Sequence, residues 1–372
     1  MSHYRPDSAP DFLLSRAHGS VRTQGAKETF DDLDAAIKKL HDNPEEMVVG
    51  ALPFRRDHKP ALTVPQSIIR EPGALEPHSY YRVGAGAQLN ASLLSLDPSL
   101  EEHTDRIAAA IGTIEDSQLK KVVLARSVEI GFDPAVDPRL IAAKLIDLSA
   151  ARDGFIADLS PAGEDFVGAM LVGSSPEVLV RKQGATIRSF PLAGSAARHS
   201  DPHLDQAQAE LLLNSSKDND EHAFVVDHLE RLLRPLCSTL EIPAQPQLIR
   251  TNEVWHLATP IVGKLKNEHT TALELAAWLH PTPAICGTPT DAAEEVIALA
   301  EGDRRFYAGA VGWADGQGNG EYMVAIRCAE VSACGTKARA WAGGGIVAQS
   351  RPEDEVAETS AKLKTIMTAL GL

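Results

Sequence analysis

A lysine opens the stretch Lys121–Gly131 (KVVLARSVEIG) and is followed by three aliphatic residues. A strand-end lysine ordinarily reaches solvent. One desolvated by its own strand has a lowered pKa and can act as a base. Strand alternation sends the neighbouring Lys120 to the opposite face, where it is the better candidate for the solvated one. Glu177 follows the turn Gly173-Ser-Ser-Pro176. It reads either as a surface charge at the start of a hairpin strand or, in a semi-apolar pocket, as a carboxyl held protonated to donate to a leaving group.

Glu221, Val225 and Leu229 fall at i, i+4 and i+8, so the carboxylate shares the apolar face of its helix. It reads equally as an acid of the first turn or as an inward ligand for a hard metal ion. Glu355, Glu358 and Lys362 form one stripe on the terminal helix. Glu358 and Lys362 make a favourable i, i+4 pair, yet magnesium needs only one or two carboxylates, with water and substrate oxygens completing its shell. The run Gly343-Gly344-Gly345 reads as a tight turn or as backbone brought close to an anion. Arg327, between Ile326 and Cys328, reads as a central-strand arginine in need of a partner, for which a carboxylate is the best bidentate match.

These groups need elements to hold them. Asp31–Leu40 reads as a helix and Asp97–Ile114 as an amphipathic helix, the latter with Leu100, Ile107, Ile111 and Ile114 at helical spacing. Lys121–Gly131 reads as a buried strand, Asp137–Ser149 as a helix and Phe166–Val172 as a strand. EVLVRK and ATIRSF, joined by Gln183-Gly184, form a hairpin signal. Two helices follow, the second capped by Asp218 or Asn219 with Glu221 in its first turn. YAGAVGWA, EYMVAIRCAEV and KARAWAGG predict a three-strand antiparallel meander, and Pro352 opens the terminal helix. The stretch Pro53–Pro77 is proline-rich, and no chemistry is assigned to residues 1–100.

The chain has 372 residues, 44% hydrophobic and 23% charged, which suits a globular protein with a large core. Its 36 basic and 51 acidic residues leave a net charge of −15. Such a surface predicts no nucleic-acid partner and no anionic membrane surface. No apolar run reaches the length of a membrane span. The start MSHYRPDSAPDFLL shows no signal peptide. The four cysteines lack metal or disulfide spacing, so reduced thiols in a cytoplasmic protein are expected. The acidity also repels an anionic substrate unless one local site reverses it.

The order of these segments carries a resemblance. KVVLAR (121–126), GSSPE (173–177), PLAGS (191–195), SKDNDEH (216–222), PTPAICGTP (281–289), YAGAVG (307–312), AIR (325–327), AGGGIV (342–347) and ETSAK (358–362) together resemble the chorismate-utilising enzymes, and within them the isochorismate synthases. The resemblance covers residues 105–372, taken as the chorismate-binding catalytic region, with 1–104 as an N-terminal part of the same domain. It implies an α+β fold: a single large domain of two packed antiparallel-rich sheets with helices outside and the site between them.

The resemblance also implies roles. Lys121 is the base that activates water and Glu177 the acid on the departing hydroxyl. Glu221 and Glu358, with Glu355 close by, hold Mg²⁺. Tyr307 and Arg327 receive the enolpyruvyl carboxylate, helped by backbone at Gly343. Lys362 belongs to the substrate or metal surroundings, Gly194 and Ser195 lie near the ring, and His256 in VWHLATPI matches a histidine there whose role is open. The implied reaction is chorismate to isochorismate, feeding siderophore or menaquinone biosynthesis, by a monomer needing no amidotransferase subunit. Lys121 argues against an anthranilate synthase. Thr290 stands where amine-transferring and salicylate-forming relatives tend to carry lysine. Gly344 replaces a usual alanine, and Trp313 a smaller residue or tyrosine. The alternatives are a salicylate synthase, and a catalytically silent subunit that binds a glutamine amidotransferase, against which the full set of catalytic positions argues.

Overall fold

The computed structural model describes residues 9–83 and 87–372. Residues 1–8 of the segment read for a signal peptide lie outside them. Every strand pairing among the described residues is antiparallel, and seventeen strands join in one hydrogen-bonded ladder. One arm of the ladder runs Ala91–Asp97, Lys121–Phe132, Lys337–Ile346, Cys328–Val331, Met170–Gly173 and Gly154–Asp158. The other runs Ala310–Asp315, Gly320–Val324, Val178–Gln183, Thr186–Phe190, Ile261–Leu265 and Cys237–Glu241. Between them lie Phe12–Arg16, Gly19–Phe30, Ala61–Glu71 and Met47–Leu52. The stretch to which no chemistry was assigned thus links the two arms.

The arms pack face to face. Ala125, Phe155 and Leu171 from the first share an apolar cluster with Val49, Val311, Met323 and Leu179 from the second and its neighbour. The first arm is apolar on its other face too. There Val128, Ile130, Ile156 and Val331 meet Leu140, Ile141 and Leu145 of the helix Pro138–Leu148 and Leu363 and Ile366 of the helix Pro352–Leu370. A strand buried on both faces loses its alternation and reads as a continuous apolar run, as KVVLAR does. Asp137 caps the first of these helices by accepting from the Arg139 amide, with Pro138 in the first turn, where its missing N–H costs nothing. On the second arm the helix Ala272–Leu279 closes the outer face, opened by a capping box between Thr271 and Glu274. The expected α+β architecture is present, with its two layers joined into one ladder.

Two local expectations change. The predicted three-strand meander breaks in its middle strand: Gly320–Val324 stays in the second arm, whereas Cys328–Val331 pairs with Met170–Gly173 and Lys337–Ile346 in the first. The chain crosses between layers at Ala325–Arg327, where Arg327 takes φ of 52°. The run is buried on both sides of the crossing, so its hydrophobicity hides the break. The helix carrying Glu221 starts earlier than predicted, at Ser216, and Ser215 is its cap, accepting from the Asp218 amide. Glu221 therefore lies beyond the first turn, buried on the inner face.

A separate sheet, Leu192–Ala197, Val254–Ala258 and Gln247–Arg250, packs under the helices Pro202–Asn214 and Ser216–Leu233. Among the described residues no helix is long and apolar enough to cross a membrane.

Candidate active site

One cleft collects Glu177, Gly194, Ser195, Glu221, His256, Tyr307, Arg327, Gly343, Glu358 and Lys362, ten of the twelve residues singled out in the sequence. The other two stand behind its wall. Lys121 is fully buried, its Nζ 2.9 Å from Glu221 Oε1, an ion pair whose angle falls outside the hydrogen-bond range. Glu355 is 1% exposed on the inner side of the terminal helix.

The glycine run forms one wall. Gly345 pairs with Val123 and Gly343 with Ala125 across the ladder. A Cβ on Gly345 would meet Glu221 Oε1 at 2.1 Å, so only glycine leaves room for that carboxylate. A Cβ on Gly343 would lie 3.1 Å from the Tyr307 hydroxyl. Tyr307 is held by stacking on Trp341, ring centroids 5.6 Å apart and planes at 10°. Trp341 was not singled out in the sequence, although period-two alternation places it on the same face as Gly343.

The terminal helix forms the next wall. Lys362 donates to Glu358 Oε1 at 2.5 Å and to the Gly343 carbonyl at 2.9 Å, tying helix to strand. Glu355 Oε1 accepts from Lys217 Nζ and from the Ser350 hydroxyl, both at 2.7 Å, while its Oε2 is buried without a partner. Lys217 was also missed, though it lies four residues before Glu221 on the same helix face. Burial, reinforced by Glu358, lifts the Glu355 pKa to about 7 against the pull of Lys217. Burial pushes Glu358 up as well, but Lys362, then Lys217 and Ser195, outweigh it and hold this carboxyl below its ordinary range.

Glu177 has the opposite environment. It is 3% exposed and its Oε1 accepts only a long bond, 3.4 Å, from the Leu192 amide among the described contacts. Burial raises its pKa to about 7, and Leu192, Lys121, Lys362 and Arg327 offset only part of that. Such a carboxyl carries a proton near neutrality and can release it.

The small sheet supplies the remaining wall. Gly194, at φ of 75°, makes a bulge between Ala193 and Ser195. Bulges re-aim the side chains beside them. His222 fixes this turn by bonding the Ala193 carbonyl at 3.2 Å and the Thr259 hydroxyl at 2.7 Å. His256 Nε2 accepts from Arg327 at 3.3 Å. Burial, then Arg327, drives the His256 pKa well below its usual value, so the ring is a neutral acceptor. Arg327 does not find the directly bonded carboxylate expected of it. It donates to the Thr365 hydroxyl at 3.4 Å, which in turn donates to Glu253 Oε2 at 2.9 Å. The counter-charge is one hydroxyl removed, which leaves the guanidinium free to pair with an anion in the cleft.

The carboxylates also suit a small hard cation. Among the described residues no three acidic, histidine or cysteine side chains converge as a preformed cage. Magnesium does not require one. Glu221 and Glu358 both face the cleft, Gly345 gives the first its space, and the unpartnered Glu355 Oε2 lies behind them. The set fits one Mg²⁺.

The family model described as chorismate binding enzyme matches residues 83–371. The chain belongs to that family. It is 45% identical to a Mycobacterium tuberculosis protein provisionally named isochorismate synthase MenF, over 98% of this chain and 96% of that one. It is 42% identical to the isochorismate synthase DhbC of Bacillus subtilis, over 100% and 96%. Among solved structures it is similar to the menaquinone-specific isochorismate synthase MenF of Escherichia coli, with a TM-score of 0.83, 26% identity, and coverage of 98% of this chain and 89% of that one.

Proposed function

We propose that the chain is an isochorismate synthase that converts chorismate to isochorismate with Mg²⁺. The observation that carries this reading is a buried carboxyl with a pKa of about 7, Glu177, sharing one cleft with an unpaired arginine and with a fully buried lysine behind its wall. Lys121, as the uncharged amine, takes a proton from water as the water oxygen bonds to ring carbon 2. The ring double bonds shift, and the carbon-4 hydroxyl departs as water with the proton from Glu177. Arg327 and Tyr307 bind the enolpyruvyl carboxylate, with the Gly343 backbone alongside. Neutral His256 keeps the guanidinium oriented without adding charge. Gly194 and Ser195 face the ring, and Lys362 holds Glu358 in place.

Glu221 and Glu358, with Glu355 behind them, would hold the metal, which when bound neutralises the ring carboxylate. The N-terminal 104 residues belong to the same domain as the catalytic region 105–372, because the strands within residues 12–97 complete its sheet. The enzyme acts as a cytoplasmic monomer without an amidotransferase subunit.

The test is incubation with chorismate and Mg²⁺, with products separated and watched for fluorescence. Isochorismate without fluorescent salicylate is expected. Salicylate as the main product indicates a salicylate synthase, and tight Mg²⁺-dependent chorismate binding without turnover indicates a silent subunit.

A further inference from the structure

The strand Lys121–Phe132 has an incomplete outer edge. Gly287 and Thr288 cover it at Val122 and Lys121, and Ala91–Asp97 takes over only from Ser127 onward. The residues between would expose backbone groups in a buried layer, and each such group left unpaired loses its solvation with nothing in return. The Cys286 carbonyl accepts from the Val123 amide at 2.7 Å. Two side chains supply two more partners. Arg304 donates to the Val123 carbonyl at 2.7 Å, and Glu301 Oε1 accepts from the Ala125 amide at 2.6 Å. Glu301 and Arg304 face each other in a two-point pair of 2.7 and 2.8 Å. Together they do the work of a missing strand.

The same guanidinium reaches two other walls of the cleft. Arg304 donates to the Ile285 carbonyl at 2.7 Å, and its plane lies over Tyr307 at 6.0 Å and over Phe54 at 4.6 Å. Val123, Ile285 and Tyr307 all line the cleft, whereas Arg304, 2% exposed, does not touch it. A planar donor fork can bond two carbonyls and both oxygens of a carboxylate at once, one bond more than an ammonium can make. We infer that Arg304, locked by Glu301, is a positioning residue of the active site: it sets the spacing of the Val123 strand, the Ile285 loop and Tyr307, and through that strand the placement of Lys121 and the glycine wall. The inference rests on the isochorismate synthase reading.

The test uses the full chain with chorismate and Mg²⁺. Turnover by the unaltered enzyme is established first, so that its absence counts against the reading and not against Arg304. Arg304→Ala should lower kcat by about 10²-fold, the cost of a misplacement near 1 Å. Millimolar guanidinium should restore at least about tenfold of that loss by refilling the fork between Glu301 and the two carbonyls, and urea at the same concentration should not. Arg304→Lys and Glu301→Gln, which keep a side chain in place, should each lose about tenfold in kcat. They carry the test if the alanine variant does not fold. Wild-type kcat in folded Arg304→Lys and Glu301→Gln overturns the inference. So does a folded alanine variant on which guanidinium acts no better than urea.

Discussion

Glu177 and Glu358 face the same cleft and are the same residue type, yet one is lifted to a pKa of about 7 and the other is held below the ordinary carboxylate range. Burial acts upward on both. The difference is a lysine: Glu358 has Lys362 at 2.5 Å, whereas Glu177 has a single amide at 3.4 Å. Of these two carboxyls, Glu177 is placed to hold a proton and Glu358 to stay anionic. The chemistry of each carboxyl is set by its neighbours and not by its identity.

The largest expected effect breaks the proton side. Glu177→Gln and Lys121→Gln should each lower kcat by at least about 100-fold, as removal of a positioned acid or base typically does. Circular dichroism should show both variants folded, and full activity in either would overturn its role. Next comes the anionic side. Glu221→Gln and Glu358→Gln should raise the Mg²⁺ concentration for half-activation by about tenfold or more and shrink the rise in Tm that Mg²⁺ produces, since a ligand bound only by the folded state stabilises by mass action. An unchanged Mg²⁺ response would remove these residues from the metal site.

The pH dependence sharpens the contrast. Glu177 must be protonated to act, so kcat should fall as pH rises through about 7. The stability consequence has the same sign. A carboxyl whose folded pKa is raised favours the native state below its ordinary range and loses that contribution as pH climbs through 7. The loss has an upper bound of about 3 kcal/mol, at about 1.36 kcal/mol per pH unit. Thermal melts should show Glu177→Gln gaining on the parent between pH 5 and pH 8, and parallel melts would refute the buried-acid assignment. The smallest effect falls at Gly344, where a Cβ would sit 3.2 Å from Glu355 Oε2, a few tenths of an ångström too close. Gly344→Ala should keep activity within about twofold, because volume changes that neighbours absorb are mild. A large loss would show that Glu355 has no freedom to move.

Local signals carried much of this. KVVLAR, the hairpin at Gln183-Gly184 and the terminal helix after Pro352 were legible because strand and helix periods and turn chemistry are properties of neighbours in the chain. The break at Ala325–Arg327 was not, since a run buried in both layers keeps the same hydrophobicity through the crossing. Lys217 was overlooked because its partner, Glu355, is 138 residues away. Arg304 gave no signal at all, because an arginine in a loop reads as solvated until three separate segments converge on it.

The sequence by itself determined the set of chemical groups and, through nine ordered segments, the family to which they belong. It also showed that an acidic chain needs a local reversal of charge to hold an anion. Only the tertiary structure decided which carboxyls burial lifts, that Lys121 sits behind Glu221 and not in the open cleft, and that Arg327 bonds Thr365 and His256 with Glu253 one hydroxyl further away. Those outcomes depend on burial and on distances of a few ångströms between groups far apart in the chain, and desolvation and Coulomb terms act through space.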